Sequence, residues 1–279
     1  MRGELWAMML DAKRTFDDLV ETYASDERTR DAVLSNRIYQ ELSSAVSGSQ
    51  EYMAMEKLYE LHMQGDFDLL VLDTPPTRNA LDFLDAPERL HRFIDSRSLR
   101  FFLSPGVRLL GRGSGLMFGV LQRVTGIDLL RDLSEFFQSF GDMSEGFRVR
   151  AERVNELLGS DAATFVLVAS PRRDAIDDAI FFHDQLERRE MPFGGVVVNR
   201  FHEAGGGDAA IDLAKALGPE LAEKVEANYA DYEVLADRDR SNLSRLTKRL
   251  SGEPVLVVPE LDGDVHDLDG LAQMVEYLY

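Results

Sequence analysis

Apolar positions along the chain change period twice, and the changes divide it into helices and strands. From Glu4 to Tyr23, Leu5, Met8, Ala12, Phe16 and Leu19 recur at helical spacing, which predicts a first helix. A second is predicted from Asp26 to Leu42 with Asp26 as N-cap. A third follows Ser49, with Tyr52, Met55, Leu58 and His62 on one face. The pattern then becomes continuous. Phe67-Asp68-Leu69-Leu70-Val71-Leu72 stops abruptly at Asp73-Thr74-Pro75-Pro76-Thr77, as a strand buried on both faces does. Ala163–Val168 before Ser170-Pro171, Gly195–Val198 before Asn199, and Pro254–Val258 before Pro259 repeat the pattern. Helical stretches separate these runs, notably Asp174 to Glu190, where Ala175, Ala179, Phe182 and Leu186 line one side. Strands alternating with helices predict an α/β fold: a doubly wound, mostly parallel sheet with helices on both faces.

A long insertion lies between the first two predicted strands, at about 99–158. It is rich in glycine (Gly106, Gly111, Gly113, Gly115, Gly119) and then helical from Asp128 to Phe140, with Leu129, Leu133, Phe136, Phe137 and Phe140 on one stripe. We read it as a helical subdomain within a single domain spanning 1–279. Its greasiest part, Leu99 to Ile127, is interrupted by Arg108, Arg112 and Arg123. It therefore lacks the roughly 18 uninterrupted apolar residues of a spanning helix. With no signal-like N-terminal apolar run, the chain is expected to be cytoplasmic and not an integral membrane protein.

Composition narrows the chemistry. A net charge of −19 argues against general nucleic-acid binding, which needs a basic face. The absence of cysteine removes disulfides, thiolate metal sites and a cysteine nucleophile. The five histidines show no HExxH or similar ligand spacing.

Ligands of open parallel sheets bind beyond the carboxyl ends of the strands. The residues there are Asp73-Thr74-Pro75-Pro76-Thr77, Ser170-Pro171, Asn199 and Pro259-Glu260-Leu261-Asp262. The residues alone leave each with two roles. Asp73 suits water-mediated magnesium binding as in P-loop NTPases, or simple capping of the next turn. Asn199 offers a donor and an acceptor to an adenine edge, or satisfies loop backbone. Pro259 to Asp264 makes a base-covering loop or a surface turn.

The segment from Phe67 to Thr77 resembles switch II of the arsenite-pump ATPase family, which also contains the ATPase that delivers tail-anchored membrane proteins. Glu51–Leu58 resembles the helix leading into that strand. Val168-Ala169-Ser170-Pro171, then Gly195-Val196-Val197-Val198-Asn199-Arg200, resemble its later strands, and Val258–Leu268 its adenine loop. More narrowly, Gly3–Asp11 and Asp73–Leu84 are similar to an actinobacterial branch. The resemblance covers nearly the whole chain in order. It implies that Asp73 takes the magnesium-linked role and that Thr74, Pro75, Pro76 and Thr77 form the γ-phosphate switch. Asp73, Thr74 and Thr77 would then be the catalytic set. It further implies that Asn199 reads adenine while Pro259, Leu261 and Asp262 close over the base, with ATP and Mg²⁺ as cofactors. Such proteins dimerise around nucleotide, and some shield apolar or membrane-protein clients in a helical groove.

The departures from the family concern phosphate. None of Lys13, Lys57, Lys215, Lys224 and Lys248 follows a glycine or precedes Ser or Thr, so these residues contain no P-loop. Arg78-Asn79 stands where the family has Gly-His, and Arg172 where it often has Glu. The P-loop strand and switch I are therefore expected upstream of Met1, and this polypeptide alone is expected to bind ATP weakly and not to hydrolyse it. Losing a central strand should also expose apolar strand edges. Two readings follow. One is the C-terminal portion of an ATPase coupling ATP to client handling. The other is a non-catalytic subunit pairing with a P-loop-bearing paralogue or holding clients on the apolar insertion, although a helical apolar stripe is more often internal core. A dehydrogenase or methyltransferase lacks support, because neither Gly111–Gly115 nor Gly205–Gly207 has GxGxxG spacing after a strand.

Overall fold

Three of the four continuous apolar runs pair into one open parallel sheet. The computed structural model describes residues 3–37, 39–40, 49–74, 84–85, 146, 148–204 and 213–278. They belong to two compact units, Met1–Leu157 and Leu158–Tyr279. The expectations for the glycine-rich insertion and the 128–140 helix fall outside the described residues.

In the first unit, α1 (Ala12–Tyr23), α2 (Glu27–Leu34) and α3 (Ser49–Gln64) are joined by a helical segment at residues 148–158. The predicted first helix starts late, because the Asp11 side chain accepts the Arg14 N–H and its extended backbone stops the helix there. Residues 3–11 are non-helical and leave Leu5, Trp6 and Met9 exposed. Asp26 does cap α2, accepting the Thr29 N–H at 2.7 Å, but the predicted single helix breaks at Ser35-Asn36 and is helical again at residues 37, 39 and 40. Helix α3 buries Met53, Met55, Glu56 and Tyr59, so its core face is turned from the predicted Met55-Leu58-His62 face. The cause is a charge: buried Glu56 accepts the Nε–H of Arg150 from the 148–158 helix.

Residues 67–72 differ most from expectation. They form no strand, and Leu69 and Val71 are 77% and 83% exposed. A continuous apolar run becomes a strand only beside another strand, and the described part of this unit contains none.

The second unit alternates β1 (Phe165–Ala169), α4 (Arg173–Arg188), β2 (Phe193–Phe201), α5 (Leu213–Leu217), α6 (Pro219–Leu250), β3 (Val255–Pro259) and α7 (Leu268–Leu278). The sheet order is β1-β2-β3, all parallel. Leu167, Val196 and Val255 share one face by register, and so do Ala169, Val198 and Val257. Helices α4 and α6 pack together, and right-handed crossovers put both on that face. On the opposite face Val168, Val197 and Leu256 form one row, with Val168 64% and Leu256 43% exposed. Val196 donates its N–H to Pro254 O at 2.9 Å, and a Cβ on Gly195 would fall 2.7 Å from that same oxygen. Gly195 also has φ +134, so glycine is required at this close approach of β2 to β3.

The candidate nucleotide rim

Because all three strands run the same way, their carboxyl ends collect on one rim of the second unit. At the end of β1, Pro171 is held by α6: its carbonyl accepts from Asn242 Nδ2 at 2.9 Å. Arg172, the departure from the family pattern, forks onto Asp174 in full solvent, at 3.2 and 3.0 Å.

The end of β2 is where sequence and structure differ in an informative way. The strand does not stop at Val198 but runs to Phe201, and its pairing with β3 slips. Val198 stands opposite Val257 while Phe201 stands opposite Pro259, so β2 spends one more residue than β3 over the same interval. That is a β-bulge, and it contains Asn199 and Arg200. Arg200 has φ +60, a left-handed conformation that costs a non-glycine residue energy. Part of the compensation is local: Asn199 Oδ1 accepts the Arg200 N–H at 2.9 Å. The Asn199 amide nitrogen donates to no described residue, and its oxygen retains a second lone pair. One donor and one acceptor remain, the pair an adenine edge requires.

Directly after the bulge the chain is clamped. Asp239 on α6 is fully buried, and its carboxylate meets His202 Nδ1 at 2.6 Å and accepts the His202 backbone N–H at 3.2 Å. The Arg238 guanidinium donates twice to its other oxygen, at 2.9 and 2.7 Å. Tyr232 packs edge-on against the His202 ring at 5.3 Å. A buried carboxylate with this many charge-assisted partners is a fixed anchor for the exit from β2. Nothing in residue spacing announces it, since His202 and Asp239 lie 37 positions apart.

At the end of β3, Glu260 donates its N–H to Phe201 O at 2.9 Å, tying the two strand exits together. Beyond it, Pro259, Leu261 and Asp262 line a cleft of about 710 Å³ whose far wall is α7. Asn199 stands at the neighbouring strand end and is not part of the cleft wall. Seven of the fifteen lining residues are carboxylates and none is Lys or Arg. At its edge Arg200 stands 3.7 Å from Asp264 with both side chains largely in solvent, a pair worth little. A polyphosphate inside such a cleft meets like charge on several sides.

Asp73 and Thr74 belong to the first unit, where they follow the 67–72 run and are exposed. The Asp73 carboxylate pairs with no described residue. Pro75, Pro76 and Thr77 lie outside the described residues.

Parallel strands with loops gathered at their carboxyl rim place this molecule in the α/β class to which P-loop NTPases belong. A family model described as anion-transporting ATPase matches residues 2–238, and the chain belongs to that family. Its members are ATPases, with nucleotide and Mg²⁺ use as a general property. Asp73 and Asn199 fall inside the matched span; Pro259, Leu261 and Asp262 fall beyond it. No helix among the described residues is long and apolar enough to cross a membrane.

Proposed function

We propose that this chain supplies the base-reading rim and the magnesium-linked switch segment of an ATPase that couples nucleotide to the handling of protein or membrane clients. The observation that carries this reading is the bulge that puts Asn199 at the end of β2, the strand paired with β3, whose exit loop Pro259–Asp262 lines the cleft. Strain at Arg200, held by a buried anchor at Asp239, is the kind of local cost that persists where a site needs a fixed geometry. In this reading Asn199 reads adenine, Pro259 and Leu261 pack on the base, and Asp262 closes over it. Asp73 holds magnesium through water, and Thr74, Pro75, Pro76 and Thr77 form the switch around the γ-phosphate. Magnesium in such a site neutralises charge on the β- and γ-phosphates.

The phosphates are the part these residues do not serve. No lysine stands in a Gly-Lys-Ser or Gly-Lys-Thr context, and the cleft wall is acidic. We therefore place the phosphate cradle outside the 279 residues, and the chain by itself is not hydrolytically competent. The exposed row of Val168 and Leu256, and exposed Leu69 and Val71, are apolar surfaces that call for a covering element. We assign the whole chain to one NTPase-type domain with its helical insertion at about 99–158, working as a homodimer or with a P-loop-bearing paralogue.

Phosphate release from ATP by the purified chain tests this directly. Release should stay at background with Mg²⁺ present. Sustained turnover that Asp73→Asn abolishes would overturn the assignment of the cradle to residues outside the chain.

A further inference from the structure

A second site is built into the opposite end of the second unit, near the amino end of β2. His183 on α4 is buried, with 9% of its surface exposed, and its Nδ1 has no hydrogen-bond partner. The Asp184 carboxylate oxygen is 3.7 Å away, beyond hydrogen-bond range. Either protonation state of Nδ1 leaves this arrangement incomplete. A proton on Nδ1 finds no acceptor within range, because the facing Asp184 oxygen is held back by the Arg249 guanidinium at 2.8 Å. Without a proton, a buried lone pair faces an acceptor. A cation between the two atoms resolves both. Zinc lies at about 2.0–2.2 Å from imidazole nitrogen and carboxylate oxygen, and two such bonds at a tetrahedral to open angle span roughly 3.3–4 Å.

Glu187 supplies the third ligand. It lies four residues after His183, one turn along the same face of α4, and is exposed and free to swing inward. Ligand atoms of His183, Asp184 and Glu187 all lie within 4.8 Å of one another. Two further contacts hold the set. Phe193 packs edge-on against the imidazole at 4.7 Å, and Arg249 from α6 donates to Asp184 at 2.8 Å. A ligating carboxylate that also accepts an outer hydrogen bond is a normal feature of metal sites. The Arg249 charge opposes a cation, so the site should be one of moderate affinity.

We propose that His183, Asp184 and Glu187 form a binding site for a first-row divalent cation, with zinc the best match. One imidazole with two carboxylates suits zinc better than magnesium or calcium, which take all-oxygen sets. Three protein ligands leave a fourth position for water. Because α4 returns to the sheet at the amino end of β2, the ion would sit away from the carboxyl rim, and the site does not depend on the nucleotide reading.

Calorimetric titration of the full chain with Zn²⁺, after chelator treatment and dialysis, tests the site. One ion per chain is expected, undisturbed by excess Mg²⁺, together with a zinc-dependent rise in melting temperature. Glu187→Gln, a surface change on a helix, should weaken binding by about tenfold or more and remove the melting shift. His183→Gln should abolish saturable binding. Absence of saturable zinc binding, or binding that Glu187→Gln leaves unchanged, would overturn the proposal.

Discussion

Replacing Arg150 by Met should unfold the first unit far more readily than its modest exposure implies. Arg150 donates to Glu56, which is 1% exposed on α3, and its guanidinium also stands over the rings of Tyr59 and Tyr23, at 5.0 and 5.8 Å. Burial works against the Arg150 charge, but the Glu56 carboxylate more than offsets it and holds the guanidinium above its ordinary pKa. Met keeps the length and apolar stem and removes the charge, which strands a carboxylate in the core. Breaking one partner of a buried pair costs about 3–5 kcal/mol. At roughly 2–4 °C per kcal/mol, the melting temperature should fall by about 6–20 °C. Far-UV circular dichroism against urea and temperature is the assay, because the single tryptophan, Trp6, is exposed and a poor reporter. Adding Glu56→Gln to Arg150→Met should restore much of the loss, since the stranded charge is then gone. Hydrogen exchange should localise the loosening to α3, which leads into the segment carrying Asp73. A loss below about 1 kcal/mol, the range of a surface pair, would refute the reasoning.

Two further changes probe the framework. Tyr39 is buried and donates its hydroxyl to Asp17, and burial together with that carboxylate pushes the phenol above its ordinary pKa. A raised pKa stabilises the fold fully below the unfolded value of about 10, and that share is lost as pH climbs beyond it. Stability of the wild type should therefore fall above pH of about 10, and Tyr39→Phe should flatten that decline in urea titrations across this range. Asp239→Asn should cost about 1.5–3 kcal/mol, because His202 and Arg238 lose a charged acceptor. Faster amide exchange at His202 is the signature, and unchanged exchange would show that the β2 exit is fixed by something else.

The sheet was legible wherever apolarity ran unbroken into a turn. β1 and β3 fall within two residues of their expected bounds, because both carry the Val-rich sequence of a strand covered by its neighbours. The same logic failed at 67–72, whose composition is just as strand-like, because composition cannot supply the neighbour a strand must bond to. Periodicity also misplaced the core face of α3. An apolar count has no means of seeing that Glu56 is the residue turned inward, since its partner Arg150 is 94 positions away. At the rim, the proximity of Pro259, Leu261 and Asp262 was plain from their adjacency. The role of Asn199 as part of a bulge was not, because an added residue in one strand shows only in the register of two. The anchor at Asp239 was invisible for the same reason, being an acid in the middle of a long, charged helix.

An amide-resolved NMR titration of the chain with adenosine and, in parallel, with ATP·Mg²⁺ tests the central claim most directly. The account predicts weak, saturable shifts at Asn199, Arg200, Leu261 and Asp262 with adenosine, lost in Asn199→Ala, and no tighter binding of ATP, since the acidic rim gives phosphate nothing to hold. Micromolar or tighter affinity for ATP, or shifts that leave these four amides untouched, would contradict it.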